Sequence, residues 1–167
     1  PTGKLLEDPY HFWYIGKSYY DSTLGDYPLG MDHIKEYARR SIFYFGQYIN
    51  FRHNYHETGR ADGVDELGYF AMYAMGDMFK LCGNYEKALD CGMKAEEFAP
   101  SRNEHIVLQA ECFKDLSDFD SMKVQTDRLM SPDRKLPFPE YNFLLNMEHY
   151  NDSGKYCEQL HQIANQV

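Results

Sequence analysis

The chain has 167 residues, enough for a domain with its own core, and its 43% hydrophobic and 16% aromatic content is too rich for a disordered segment. A formal net charge of −9 sets most of the surface against nucleic acid, and no basic stretch beyond Arg39-Arg40 invites an anionic membrane. No apolar run approaches the roughly 20 residues that cross a bilayer, and the best is Ile42-Phe43-Tyr44-Phe45.

The first helical signal is Asp8-Pro9, an N-cap followed by proline at the first helical position. Ile15-Gly16 and Tyr19 follow on that helix, and Gly25-Asp26-Tyr27 supplies a turn. The next helix is predicted from Met31 to about residue 48, with Ile34, Ala38, Ser41, Ile42 and Phe45 on one face. Residues 52–65 are rich in His, Asn, Gly and charge and read as a loop.

The clearest unit covers residues 69–102. Met75-Gly76 leads to Phe79, then Gly83, Tyr85, Ala88, Ala95 and Pro100. Gly76 and Ala88 let two helices approach, Gly83 gives the turn its permissive backbone, and Pro100 closes the second helix. A step of 34 residues carries Gly76 to Ala110, Phe79 to Phe113, Gly83 to Ser117 and Tyr85 to Phe119. At the joint, Ser101 with Glu104 three later predicts a capping box. After Leu136-Pro137-Phe138-Pro139 a last unit is expected, with Tyr150 and the turn Gly154-Lys155-Tyr156.

This order of small, aromatic, Gly-x-Tyr, alanine and proline positions resembles the tetratricopeptide repeat. It implies an all-α, TPR-like solenoid of about four antiparallel helix pairs, an α-α superhelix. The units are placed at about 9–50, 66–100, 101–131 and 139–167, in a single domain expected to be part of a longer chain.

Three stretches resemble something narrower. They are Phe12-Trp13-Tyr14-Ile15-Gly16-Lys17-Ser18-Tyr19-Tyr20-Asp21, then Asp65-Glu66-Leu67-Gly68-Tyr69-Phe70-Ala71-Met72-Tyr73-Ala74-Met75-Gly76, and the joint Pro100-Ser101-Arg102-Asn103-Glu104 with the later proline bridge. Together they are similar to the helical-repeat region that follows the catalytic domain in some family-2 (GT-A) glycosyltransferases. The nucleotide-sugar-binding half is absent from this sequence. The resemblance therefore implies an accessory region and not the transferase activity.

Candidate chemistry is sparse. Asp118-Phe119-Asp120 is a literal D-x-D, but it falls on an inter-helix turn rather than at a strand end. His53 and His56 lack a third ligand, and Cys157 with His161 lacks partners at zinc spacing. Cys82, Cys91, Cys112 and Cys157 form no C-x-x-C pair and read as reduced, half-buried thiols of a cytoplasmic protein. No catalytic residue, metal ligand or cofactor is assigned.

The expected functional surface is a concave groove. TPR-like helix positions place Trp13, Lys17, Tyr20, Tyr73, Asp77, Lys80, Glu111 and Lys114 there, as a partner-binding set. The competing reading of Trp13 and Tyr73 is packing between helix pairs. Two functions follow: a non-catalytic scaffold for a protein or a catalytic domain in cis, or a free-standing adaptor that captures a peptide.

Overall fold

The structure, a computed structural model, describes residues 8–25, 30–52 and 65–134. Among them are six α-helices and no strand: α1 Pro9–Leu24, α2 Met31–Arg52, α3 Glu66–Leu81, α4 Tyr85–Phe98, α5 Glu104–Asp115 and α6 Phe119–Leu129. The chain divides into two compact units, Pro1–Pro100 and Ser101–Val167. None of the described helices is long and apolar enough to cross a membrane. The expected last helix pair, with Tyr150 and Gly154, lies outside the described residues, as do residues 53–64 of the loop expected at 52–65 and residues 26 and 27 of the expected turn.

In the first unit, α1 starts where Asp8 accepts a hydrogen bond from the Tyr10 N–H and Pro9 takes the first helical position. It packs antiparallel on α2, as shown by contacts that run in opposite directions along the two helices. Tyr10 meets Tyr48, Trp13 meets Phe45, and Tyr19 meets Tyr37. The crossing is close at Gly16, where an added Cβ would stand 3.0 Å from the fully buried Phe45 ring. Buried Ser41 donates to the Gly16 carbonyl at 3.0 Å, so the one polar group in this crossing is satisfied.

α2 runs four residues past its predicted end at 48. The extension is held by packing and charge. Ile49 packs against the core, and Arg52 forms an ion pair with Asp65, the N-cap of α3. The Arg52 guanidinium also lies 4.9 Å from the centre of the Phe98 ring. A period count over apolar positions cannot register a terminal turn that is stabilised by a residue beyond the loop.

The α3–α4 and α5–α6 hairpins have the same turn, 34 residues apart. Gly83 N donates to Lys80 O at 2.8 Å, and Asn84 N donates to Phe79 O at 2.9 Å. Ser117 N donates to Lys114 O at 2.9 Å, and Asp118 N donates to Phe113 O at 2.9 Å. Gly83 and Ser117 both have positive φ, at 79° and 60°. Asn84 then caps α4 through the Lys87 N–H, and Asp118 caps α6 through the Ser121 N–H. The hydrogen bonds to Asp118 from Ser121 hold its carboxyl below the usual carboxylate range.

The predicted capping box at Ser101 and Glu104 does not form. α5 begins at Glu104, and its N-cap is Asn103 with no side-chain cap bond. Two competing partners explain this. The Arg102 guanidinium takes the Glu104 carboxylate, and Arg134 donates to the Asn103 side-chain oxygen at 3.1 Å.

The matched turns predict substitutions of opposite sign. Gly83→Ser should destabilise by about 1 kcal/mol because it puts a Cβ at positive φ, while Ser117→Gly should be neutral or stabilising. Urea melts of the two variants measure both. Lowered stability in Ser117→Gly would contradict the account.

Acid melts test the Asp118 cap. Its lowered folded pKa means that its contribution is complete above the ordinary value of 3.8 and disappears as pH falls through the lower folded value. Asp118→Asn keeps an acceptor without titrating. Wild type should therefore lose its lead over this variant only below about pH 4.

Candidate functional site

The eight predicted groove residues fall on three helices. Trp13, Lys17 and Tyr20 are on α1, and Tyr73, Asp77 and Lys80 are on α3. Glu111 and Lys114 are half-buried on α5, in the other unit.

α1 and α3 run parallel, since their contacts advance in the same direction. Trp13 Nε1 donates to Leu67 O at 3.2 Å, and Tyr20 Oη donates to Asp77 Oδ2 at 3.2 Å one helical stretch further on. Between them the Phe70 ring meets Trp13 at 5.5 Å and Tyr20 at 5.7 Å, and Lys17 Nζ lies 6.0 Å from its centre.

These contacts decide which residues remain available. Trp13 is 9% exposed and Tyr20 is 7% exposed, so both belong to the core rather than to an open binding face. The packing reading holds for them because a wide aromatic ring at helical spacing fills the gap between helices. Tyr73 is half-buried and stacks on Tyr69 with ring centres 6.3 Å apart. Burial, and then the neighbouring Asp77 charge, pushes the Tyr20 phenol far above its ordinary range, so it stays a donor. Lys80 stands 4.0 Å from Asp77, and Lys17 pairs with Asp21 one turn along α1. The half-exposed part of this face therefore presents Lys17, Asp77 and Lys80, each already near an opposite charge.

A second surface on α1 lacked a signal in helix-position reasoning. On the side turned toward α2, a shallow groove of about 640 Å³ lies between His11, Tyr14, Ser18 and Tyr19 of α1 and Tyr37 and Arg40 of α2. The TPR-like register assigns its functional positions to the other side of α1, so it passes over these residues. The doublet Arg39-Arg40 was the available sequence cue.

Among the described residues, no group of three His, Cys, Asp or Glu residues could hold a metal ion. Asp118 of the D-x-D is engaged as a helix cap, and Phe119 between the two carboxylates is exposed. The His53–His56 and Cys157–His161 pairs lie outside the described residues. Cys82, Cys91 and Cys112 form no disulfide. Burial first, and Asp90 second, pushes the Cys91 thiol up to about 12. No protein-family model matches the chain, and no curated protein matches it significantly.

Two measurements check this site. Tyr20→Phe removes a donor from a carboxylate and should cost about 1.5–3 kcal/mol in a denaturant melt. Alkylation by iodoacetamide at about pH 8 should modify half-exposed Cys82 well before buried Cys91. Faster labelling of Cys91 would mean that α4 opens readily.

Proposed function

We propose that this chain is a non-catalytic helical-repeat scaffold of the TPR-like type, cytoplasmic, and an accessory region of a glycosyltransferase. The observation that carries the repeat reading is the matching turn at 79–84 and 113–118, with equivalent backbone bonds, a positive φ at the same place and an Asn or Asp side-chain cap. A turn reproduced at a fixed interval is what a stacked array of helix pairs requires, because each pair buries its apolar stripe on the next. The link to a glycosyltransferase rests on the resemblance of the three sequence stretches.

A scaffold of this kind neither turns over nor binds a nucleotide-sugar by itself. In differential scanning fluorimetry with nucleotide-sugars and Mn²⁺, the melting temperature should stay constant. A dose-dependent rise would overturn the reading, since ligand binding to the folded state raises stability by mass action. It would also return Asp118 and Asp120 as metal ligands.

A second reading, a peptide-capturing adaptor, is favoured by the half-exposed charges Lys17, Asp77 and Lys80 on the parallel α1–α3 face. Charges of both signs beside Tyr73 suit a mixed-charge peptide. Under this reading the double change Tyr73→Ala, Lys80→Ala weakens peptide capture while the helical circular dichroism signal is kept. Undiminished capture by a folded double variant argues against it.

A further inference from the structure

The groove between α1 and α2 has a chemistry that the scaffold reading does not use. Among the described residues, Ile15 is the only purely apolar one in its lining. A seam for another helix would be built mainly of aliphatic side chains, and this one is not. Tyr14 is 67% exposed and offers an aromatic surface at the rim. The hydroxyls of Tyr14, Tyr37 and Ser18 have no protein partner among the described residues, so they are open to a ligand.

The remaining lining is interconnected. Tyr19 stacks on Tyr44 with ring centres 5.8 Å apart, and Arg40 lies over the Tyr19 ring, 5.6 Å from its centre. Arg40 Nη1 donates to Tyr19 Oη at 3.2 Å, and Arg40 Nε donates to Glu36 Oε1 at 2.8 Å. Nη2 has no protein partner among the described residues, so the guanidinium keeps one donor group unengaged at a residue that lines the groove. The charge of Arg40 is meanwhile balanced by Glu36. Glu36 itself is held below the usual carboxylate range, first by its hydrogen bond from Arg40.

A site with aromatic faces, free hydroxyls, an unengaged guanidinium donor and little net charge suits a ligand that is itself neutral, flat-faced and rich in hydroxyls. An anion would meet a compensated arginine on a chain of net charge −9. We propose that the α1–α2 groove is a binding site for a neutral saccharide of one or two rings. A ring face rests on Tyr14, and ring hydroxyls bond to Tyr37, Ser18 and the open edge of Arg40. The volume is adequate for a ligand of that size. The assignment does not depend on the repeat reading, since it uses only one helix hairpin.

The test is saturation-transfer NMR and titration calorimetry of the whole chain with maltose, lactose and N,N′-diacetylchitobiose, and with glucose 1-phosphate as the anionic arm. At least one neutral sugar should bind weakly. Tyr14→Ala should reduce its affinity about tenfold, the effect of losing one aromatic contact. Arg40→Lys should weaken it as well, because a point charge replaces a planar donor edge. Val124→Ala, at an exposed position on α6, should leave it unchanged.

Four outcomes would overturn the proposal. One is no response to any neutral sugar at high millimolar concentration. Another is binding of glucose 1-phosphate alone with a steep fall in salt, which would make the groove an anion site. A third is a dimer in light scattering that Tyr14→Ala dissociates, which would make it an interface between copies. The last is a sugar response unaltered in a folded Tyr14→Ala variant, which would place the ligand elsewhere.

Discussion

The first unit is organised around the Phe70 ring. It lies within 6 Å of Trp13 and Tyr20 on α1 and of Phe45 on α2, and it belongs to α3. Three helices thus share one aromatic cluster. Edge and tilted geometries, with interplanar angles of 51° to 81°, favour the electrostatics of aromatic pairs over a face-to-face stack. Such a cluster fixes helix rotation, because turning any of the three would pull a ring out of contact. Gly16 is needed for the same reason. A side chain there would have to displace Phe45, which is fully buried and has nowhere to go.

A second constraint acts at the ends of the helices. Asp8, Asp65, Asn84 and Asp118 each accept a backbone N–H at the start of a helix. Asp65 does more than cap. It also pairs with Arg52 at the end of α2, and its backbone N–H donates to Phe98 O at the end of α4 at 2.9 Å. One residue therefore ties the start of α3 to the ends of two neighbours. Gly68 stands beside this knot, and an added Cβ would come within 2.6 Å of the Asp65 carboxylate and 2.9 Å of the Phe98 ring. A side chain there would have to push the Arg52 and Asp65 groups out of their ion pair or move the Phe98 ring.

Function follows from how these constraints use up side chains. The α1–α3 face spends Trp13 and Tyr20 on holding the helices together, and its charges are near partners. The α1–α2 groove spends Tyr19, Tyr44 and Glu36 on orienting Arg40, and keeps the hydroxyls of Tyr14, Tyr37 and Ser18 open. Packing and availability compete for the same aromatic residues. A chain with fifteen tyrosines can supply both.

By itself the sequence determined the helical class, the starts of α1 at Pro9 and α2 at Met31, and the 34-residue recurrence. Those features depend on local chemistry: a capping oxygen, a proline that fixes φ, and a residue tolerant of positive φ where the chain reverses. The start of α5 differs from the expected capping box because Arg102 takes the Glu104 carboxylate that the box would have used, while Arg134, distant in sequence, engages the side-chain oxygen of the actual N-cap, Asn103. The end of α2 was set too early because Arg52 finds its partner only after the chain has come back at Asp65. Tertiary structure alone decided which aromatics are core and which are open. Trp13 and Tyr14 are adjacent in sequence and similar in type, yet one is buried against Phe45 and Phe70 and the other faces solvent. Neighbouring residues on a helix point about 100° apart. Which of those directions is filled depends on where the second and third helices pack, and no local pattern encodes that.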